Sequence, residues 1–409
     1  MDLYEGLSEP VRKAWERSLS GGRASLSRRS LLGGGLAVAG AGALTACGIP
    51  AATGTKSGAT TDDTSDKDKS LIFSNWQLYI DVTDDKKHMP TLEAFEKHYG
   101  IKVKYTEDIT DNVEFFAKIK PQLAAGQSTG RDLVVLTDWM AARMIQLGWA
   151  QELDENYVPH AFTNLEQRFR NPDWDPGRAH SYPWAGIATV IAYNTKVTKG
   201  KKIDSVDKLL TDPSLKGKVA MLSEMRDTVG MTLLDMGKKP ESFTADDFDA
   251  ALAKVQKAVD SKQIRQFTGN EYSDGLASGN IAACLAWAGD LVQLRIDNPE
   301  IEFAIPPAGY LTSTDNMLIP AKSKHRKNAS LLMDWYYRPE IAAELAAYVN
   351  YITPCQGVKE ELLKIDKSVA NNPLIIPDAA MAAGAHAFRS LTSKEETSFE
   401  EKFAKLIGA

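Results

Sequence analysis

Acidic side chains that lie next to short apolar segments could together bind a cation. Glu224 and Asp227 follow the apolar run 219–222 and are spaced i, i+3, so on a helix they would share one face. Asp315 precedes another short apolar run, 316–319. Burying a carboxylate is costly unless a cation meets it, so several carboxylates in one cleft would indicate a cationic ligand. Acids also favour helix N-termini, and this structural role remains open for Glu224 and Asp227.

Aromatic residues follow other predicted strands directly. Trp76 and Tyr79 come after the first apolar segment of the folded part, Trp139 comes after the third, and Trp287 ends a later one. In a parallel α/β sheet the carboxyl ends of the strands face the ligand crevice. Rings placed there could enclose an alkyl chain and attract a cation, with about 0.5–2 kcal/mol per cation contact. Ordinary packing is the alternative for each ring taken alone.

The motifs of common catalytic sites are absent from the sequence. It contains no Gly-x-Ser-x-Gly, no phosphate-binding loop, no His-Glu-x-x-His and no dinucleotide-binding glycine pattern. Its six histidines and the isolated Cys284 and Cys355 show no metal-ligand spacing, so we expect neither a metal nor a cofactor. The two cysteines could pair or remain buried free thiols, because sequence alone does not show how close they come.

Alternating α and β segments must position these residues. The first set has predicted strands at 71–73, 101–105 and 133–136 and predicted helices at 89–99, 113–125 and 140–147. The second set has predicted strands at 189–193, 219–222, 281–287, 301–305 and 317–319 and predicted helices at 248–259, 290–298, 327–337 and 339–349. The alternation of predicted strands and helices along the chain indicates parallel sheets with crossover helices. Two such sets, with the chain passing between them more than once, predict an α/β protein of two lobes with a hinge and a cleft.

The N-terminal segment 1–46 predicts export. Arg28 and Arg29 precede an apolar stretch, 31–46, which ends Leu-Thr-Ala before Cys47. Paired arginines, an apolar core and a small residue before the cut are typical of a secretory signal, and the twin arginines favour the Tat type. The Leu-Thr-Ala-Cys end resembles the lipobox of bacterial lipoproteins, which implies a lipid on Cys47 and anchoring to the outer face of the cell membrane. A transmembrane helix is the alternative, but the stretch is short of the roughly 20 residues needed to span a bilayer.

Residues 47–69 predict a disordered tether, since almost no large apolar side chain occurs between Cys47 and the folded body. The signal segment holds six basic and four acidic side chains, so the mature chain keeps 42 basic and 50 acidic ones, a net charge of −8. This acidic balance argues against nucleic acid as a partner. No later segment is apolar over 18 residues, so we expect no further membrane span.

Six short motifs, in the same order and with similar gaps, resemble the extracytoplasmic polyamine-binding proteins of ABC importers, the spermidine/putrescine-binding type. The likeness covers roughly residues 70–353. The motifs are Asn75-Trp76 with Tyr79; Asp132-Leu133-Val134-Val135 with Thr137 and Trp139; Glu224-Met225-Arg226-Asp227; Ala286-Trp287; Asp315 before Met317-Leu318-Ile319-Pro320; and Tyr351-Ile352-Thr353-Pro354.

The resemblance implies a two-lobe periplasmic-binding-protein fold of type II with hinge crossovers and a central ligand cleft. Lobe 1 would comprise 70–192 plus 314–352, and lobe 2 would comprise 193–313 plus 353–409. The implied protein is a monomer and not an enzyme. It would capture a polyamine and deliver it to an ABC permease in the membrane.

The resemblance also implies a role for each motif residue. Glu224, Asp227 and Asp315 would pair with ligand ammonium groups through charge-assisted hydrogen bonds. Thr137 would be a polar contact near one end of the ligand. The walls around the methylene chain would be Trp76, Tyr79, Trp139, Trp287 and Tyr351.

Two departures from the family pattern leave the preferred ligand open. Leu78 stands where relatives often carry an acid, and Ser313 stands where they often carry an aromatic. A shorter diamine or a different amine therefore remains an alternative, as does another small solute such as an amino acid, a sugar or an iron complex. A more distant alternative is an exported enzyme that uses Glu224 with Asp227 or Asp315 as an acid/base pair.

Overall fold

The structure is a computed structural model that describes residues 62–408, except 78, 84, 110 and 111. The predicted signal segment 1–46, the lipid-bearing Cys47 and most of the predicted tether lie outside the described residues, as does Leu78. Within the described residues, no helix is long and apolar enough to cross a membrane.

Strands and helices alternate through the described chain much as the sequence predicts. The strands are β1 (Ser70–Trp76), β2 (Lys102–Ile109), β3 (Leu133–Thr137), β4 (Ser181–Asn194), β5 (Val219–Leu222), β6 (Ile264–Thr268), β7 (Ala283–Trp287), β8 (Ile301–Ala304), β9 (Tyr310–Leu318) and β10 (Ala385–His386). The helices are α1 (Pro90–Tyr99), α2 (Asn112–Ala124), α3 (Asp138–Gln146), α4 (Pro159–Asn164), α5 (Thr195–Thr198), α6 (Val206–Thr211), α7 (Met225–Asp235), α8 (Ala245–Asp260), α9 (Tyr272–Ala277), α10 (Ala288–Asp297), α11 (Arg326–Trp335), α12 (Pro339–Val349), α13 (Val358–Ile365), α14 (Lys367–Ala370), α15 (Ala379–Ala383) and α16 (Ser393–Ile407).

These strands form one mixed sheet. Its order is β2-β1-β3-β9-β4-β7-β5-β6, with β10 beside β9 and β8 beside β4. β1 runs parallel to β2 and β3, and β5 runs parallel to β6 and β7. β4 and β9 run antiparallel to each other, and each is antiparallel to the parallel strand beside it. Two parallel sets are thus joined through β4 and β9. We call the half that contains β1–β3 the first lobe and the half that contains β5–β7 the second lobe.

The long strands β4 and β9 carry the chain between the lobes, as the predicted hinge requires. The segment that follows α12 meets β4 where Gly186 and Ile352 exchange backbone hydrogen bonds of 2.7 and 3.2 Å. A Cβ atom on Gly186 would lie 3.2 Å from side-chain atoms of both Ile352 and Phe169. Glycine at this position therefore allows the crossing segments to approach closely.

The strands that lead to the cleft are buried on both faces. Residues 133–136 of β3 and all four residues of β5 are buried, as the continuous apolar runs predict for parallel strands covered by helices. Thr137, the last residue of β3, and Ser223, the residue after β5, are both less buried. The strand ends therefore fix where the polar site residues emerge.

The folded body begins earlier than the predicted start at Ser70. Ser65 is buried, and the backbone N–H of Thr64 donates a 2.7 Å hydrogen bond to the carbonyl of Lys324. Asp66 forms a 2.7 Å ion pair with Lys327 in the first turn of α11. Residues 62–69, predicted to belong to the tether, thus pack against the N-terminal end of α11.

The C-terminal region is divided between the lobes. α13 packs against α12, which contacts α1 of the first lobe, whereas the predicted boundary assigns all of 353–409 to the second lobe. α16 does pack on the second lobe, where Phe399 stacks on Phe248 of α8 with ring centroids 3.8 Å apart. The chain therefore changes lobe between α14 and α15.

Cys284 and Cys355 are buried free thiols, which decides between the two alternatives left open by the sequence. Cys284 lies within β7, and Cys355 lies between α12 and α13 and donates a 3.3 Å hydrogen bond from Sγ to the carbonyl of Tyr337. Burial raises the pKa of both thiols. They therefore remain protonated and unreactive at neutral pH.

Candidate functional site

A cavity of about 1240 Å³ lies between the lobes. All nine residues that the sequence predicts to contact a ligand line it: Trp76, Tyr79, Thr137, Trp139, Glu224, Asp227, Trp287, Asp315 and Tyr351. Both lobes contribute to this lining. The structure therefore brings the sequence-predicted site residues together, although they are spread over more than 270 positions of the chain.

Asp315 is one of the carboxylates that the first lobe contributes to the cavity lining, together with Asp138 of α3. It lies on β9 opposite Thr137 of β3 and is 4% exposed. Its Oδ1 accepts a 2.9 Å hydrogen bond from Thr137 Oγ1, and its Oδ2 accepts a 2.8 Å hydrogen bond from the phenol of Tyr79. Burial raises the pKa of Asp315 to about 6, against the opposing effect of these two donors.

Asp227 is the corresponding carboxylate of the second lobe, in the first turn of α7. Its Oδ1 accepts a 2.6 Å hydrogen bond from Thr189 Oγ1, and its Oδ2 accepts a 2.9 Å hydrogen bond from the indole N–H of Trp287. Thr189 and Trp287 are partners in the β4–β7 pairing, so one rung of the sheet supplies both donors. Burial, together with the nearby charge of Glu224, raises the pKa of Asp227 to about 6.

Asp290 is a further cleft carboxylate, which the sequence analysis did not single out. It lies in the first turn of α10 and lines the cavity. It accepts hydrogen bonds from the phenols of Tyr272 and Tyr351, at 2.6 and 3.1 Å, and from the side-chain amide of Asn270 at 2.7 Å. The sequence position of Asp290, three residues after Trp287, indicates a residue near the cleft, because Trp287 ends a strand there. In the sequence, Asp290 is evident only as the start of a predicted helix, 290–298.

The aromatic residues between these carboxylates hold one another in place. The rings of Tyr79 and Tyr351 meet edge to face with centroids 5.1 Å apart. A Cβ atom on Gly289 would lie 2.5 Å from the Tyr351 ring, so this glycine lets the ring approach α10. The indole N–H of Trp76 donates a 3.0 Å hydrogen bond to the carbonyl of Val135, which orients that ring.

Trp139 and Glu224 line the same cavity, but their contacts are with an arginine of the chain itself. The guanidinium of Arg226 lies over the Trp139 ring, 4.4 Å from its centroid. The same group lies 3.5 Å from Glu224 and 3.0 Å from both Glu396 and Glu400 of α16. Glu224 also caps α7 by accepting from the backbone N–H of Arg226. The structural role that the sequence left open for Glu224 is therefore present.

Ser313, the departure from the family pattern that the structure describes, faces the cleft. It lies between Leu311 and Asp315 at alternate positions of β9, and all three line the cavity. A serine here leaves space where an aromatic ring would otherwise close the wall.

Among the carboxylates that line the cavity, Asp227, Asp290 and Asp315 carry negative charge that the protein does not neutralise by direct contact. The hydrogen bonds to Asp227, Asp290 and Asp315 all come from neutral hydroxyl, phenol, indole or amide groups. Such donors orient a carboxylate without cancelling its charge. Among the described residues, no cluster of three or more histidine, cysteine or acidic side chains could hold a metal ion.

Comparison with known families gives an independent result. Residues 91–377, more than half of the chain, match the family described as Bacterial extracellular solute-binding protein. The spermidine/putrescine-binding periplasmic protein of Escherichia coli K12 is 25% identical over 341 residues, which cover 83% of this chain and 92% of that protein. The putrescine-binding periplasmic protein PotF of the same organism is 29% identical over 332 residues, covering 77% and 85% of the two chains.

Solved structures share the fold. The spermidine/putrescine ABC transporter substrate-binding protein PotD of Streptococcus pneumoniae aligns with a TM-score of 0.70 and 22% identity, over 82% of this chain and 98% of that one. A PotD-type lipoprotein of Treponema pallidum aligns with a TM-score of 0.69 and 18% identity, over 83% and 100%. The two-lobe periplasmic-binding-protein fold and the family resemblance predicted from the sequence are thereby confirmed.

Proposed function

The chain belongs to the family of bacterial extracellular solute-binding proteins, and from this premise we propose that it captures a polyamine for an ABC importer. The names of its relatives support a spermidine- or putrescine-like ligand. Proteins at this level of identity can share a fold while their ligands differ, so the chemistry of the cleft has to carry the proposal.

The observation that carries the proposal is that Asp227, Asp290 and Asp315 line one cleft and are held only by neutral donors. A buried carboxylate is stable in its ionised form when a cation pairs with it and satisfies its lone pairs. Asp227, Asp290 and Asp315 converge on one cavity from both lobes. A molecule with two or three ammonium groups on a thin chain would supply the missing positive charges.

The aromatic lining suits the rest of such a molecule. Trp76, Tyr79, Trp287 and Tyr351 offer apolar surface for methylene groups, and their faces attract ammonium groups. A sugar would need more hydrogen-bonding groups, and an anionic solute would need cationic or N–H groups in place of the acids.

The register of β4 indicates the length of the ligand. Asp227 is bonded to Thr189, whereas Asp315 is opposite Ala185 in the β4–β9 pairing. These two positions of β4 are four residues apart, which corresponds to about 13 Å along the strand. A ligand that pairs with both carboxylates at once would therefore extend along the cleft, which favours a triamine of the spermidine type over a four-carbon diamine.

Ligand binding would close the lobes. Asp315 and Tyr79 belong to the first lobe and Asp227, Trp287 and Asp290 to the second, so a ligand that touches both sets stabilises the closed form. The closed, monomeric protein would then dock on a permease in the membrane and release its ligand.

We also propose that the protein is exported by the Tat route and held at the membrane by a lipid on Cys47. Paired arginines, a short apolar stretch and Leu-Thr-Ala-Cys support this assignment. Cell fractionation tests it: the wild-type chain is expected in the detergent phase, and Cys47→Ser is expected in the soluble fraction or uncleaved. Equal partitioning of the two would contradict anchoring at Cys47.

The test of the ligand is a thermal-shift screen followed by calorimetry on the purified protein. Diamines, triamines, amino acids and sugars are compared at equal concentration, because a ligand that binds only the folded state raises the melting temperature. We expect the largest shift with a triamine. A shift with amino acids or sugars and none with amines would replace the polyamine by another solute, and turnover of a substrate would favour the enzyme alternative.

A further inference from the structure

Arg226 occupies a cation site made by the protein itself. Its guanidinium lies 4.4 Å from the centroid of Trp139 and within 3.0 Å of carboxylate oxygens of Glu396 and Glu400. Glu224 completes the surroundings at 3.5 Å. The Arg226 side chain is only 12% exposed, and the residue lines the cavity.

These surroundings have the same chemistry as the cleft subsites proposed to hold ammonium groups. An aromatic face and several carboxylates are what attracts a desolvated cation. At the Trp139 end of the cavity, however, the cation is covalently part of the chain. Arginine cannot lose its proton in a protein, so this positive charge is permanent.

The neighbour of Arg226 in the sequence is the ligand carboxylate of the second lobe. Arg226 and Asp227 are successive residues in the first turn of α7, and both line the cavity. A ligand chain that extends past Asp227 toward Trp139 would bring another ammonium group against the guanidinium. That group would meet like charge and find Glu224, Glu396 and Glu400 already paired.

We propose that Arg226 is a specificity-determining residue that fills what would otherwise be a further ammonium subsite and so limits the length and charge of the amine that the cleft accepts. This inference rests on the proposed polyamine function. On this assignment a triamine uses the available carboxylates, and the additional ammonium of a tetraamine gains nothing.

A purely structural role for Arg226 would give a different outcome. The guanidinium joins α7 to α16 through Glu396 and Glu400, so its removal is expected to lower the melting temperature in either case. Only the specificity role changes the ratio of affinities for amines of different length. That ratio is therefore the quantity to measure.

The first measurement uses the wild-type protein. Calorimetry with putrescine, spermidine and spermine is expected to show that spermine binds no more tightly than spermidine. Binding of spermine tenfold or more tighter than spermidine would overturn the inference, because it would reveal a free fourth subsite. Absence of binding by any amine would overturn the proposed function and this inference with it.

The second measurement uses Arg226→Gln, which removes the guanidinium from Glu224, Glu400 and the Trp139 ring. Arg143 still pairs with Glu396 and lies 5.2 Å from the Trp139 centroid in the variant, so the freed carboxylates are Glu224 and Glu400. The affinity for spermine relative to spermidine is expected to rise roughly tenfold, the size of one cation–aromatic and carboxylate contact. Arg226→Lys restores the charge and is expected to restore the wild-type ratio. An unchanged ratio in Arg226→Gln would overturn the inference even if the variant were less stable.

The control is Arg295→Gln. Arg295 lies in the second lobe, pairs with Glu302 at 3.2 Å and lies over Phe303, but it does not line the cavity. Its removal deletes the same charge and the same kind of contacts, so the ratio should stay at the wild-type value. Should Arg226→Gln fail to fold, the double variant with Glu400→Gln relieves the repulsion among the freed carboxylates and permits the same measurement.

Discussion

The phenol of Tyr79 donates a 2.8 Å hydrogen bond to Oδ2 of Asp315. The Tyr79 ring packs edge to face on Tyr351, whose own phenol donates to Asp290 in the second lobe. Two carboxylates from opposite lobes are thus linked through two phenols. In this arrangement the two phenols orient both carboxylates toward the shared cavity.

The raised pKa values of Asp227 and Asp315 predict that binding depends on pH. Burial is the main cause of both values, each about 6. Because both lie above the ordinary value of 3.8, the ligand-free folded protein holds protons that the unfolded chain releases between about pH 4 and 6. These two groups therefore lower the free energy of unfolding as the pH rises through that window.

Ammonium binding requires the ionised carboxylates. The affinity for the ligand should therefore increase as the pH rises, whereas the contribution of these groups to the free energy of unfolding decreases. Between pH 7 and pH 5 the dissociation constant for spermidine is expected to rise about tenfold for each of the two groups. Calorimetry in buffers of different ionisation enthalpy should also detect proton release on binding below pH 6. A dissociation constant that is flat from pH 5 to 7 would contradict the assignment of these carboxylates to the ligand.

Asp315→Asn tests the carboxylate of the first lobe. The amide keeps the shape of the side chain but leaves one ligand ammonium group without its counter-charge, which costs roughly 2–5 kcal/mol of binding free energy. The control is Asp246→Asn, which removes an exposed acid in the first turn of α8, outside the cavity. Calorimetry should show a large loss of polyamine affinity for Asp315→Asn and essentially no loss for Asp246→Asn. If the two variants bound the ligand with equal affinity, the ligand would not contact Asp315.

Asp227 and Glu224 are expected to differ, although the sequence assigns them the same role. Asp227 is bonded to neutral donors, whereas Glu224 faces Arg226 and caps α7. Asp227→Asn should weaken polyamine binding by about 2 kcal/mol or more. Glu224→Gln, which can still accept the capping hydrogen bond, should change it by less than about 1 kcal/mol. If calorimetry showed a larger loss of binding free energy for Glu224→Gln than for Asp227→Asn, Glu224 and not Asp227 would hold the ammonium group.

The elements predicted most accurately from the sequence are those with strong local signals. β3 and β5 are uninterrupted apolar runs buried on both faces, and their ends match the predictions within one residue. β9 was predicted only at 317–319, although it begins at Tyr310. Its polar run, 312–316, conceals the strand because neighbouring elements satisfy those side chains: the hydroxyl of Thr314, for example, donates to Asp138 of α3.

The positions of the predicted site residues follow from the same physics. Residues placed after strand ends converge on the cleft because the sheet topology brings those ends together. Asp290 was missed because an acid in a first helical turn is ordinary. The surroundings of Arg226 could not be predicted, since Glu396 and Glu400 are about 170 residues away in the sequence and meet it only through the packing of α16.

Closure of the lobes is expected to depend on Arg143. Its Nη2 lies 2.7 Å from Oε1 of Glu396, which joins α3 of the first lobe to α16 of the second, and both side chains are mostly buried. Arg143→Gln leaves Glu396 paired with Arg226 inside the second lobe but removes the contact across the cleft. Arg143→Gln should lower the affinity for spermidine roughly tenfold. This effect lies between the effect of removing an exposed ion pair and that of removing a fully buried one.

Small-angle scattering and stopped-flow dissociation check the effect of Arg143→Gln. The variant is expected to have a larger radius of gyration in the presence of ligand and a faster ligand release, because it lacks a contact between the lobes that stabilises the closed form. Lys118→Gln is the matched control, since it removes a cation of the first lobe whose partner, Glu114, lies on the same helix. If both variants kept the wild-type radius and release rate, the Arg143–Glu396 pair would contribute to local packing of α16 and not to closure.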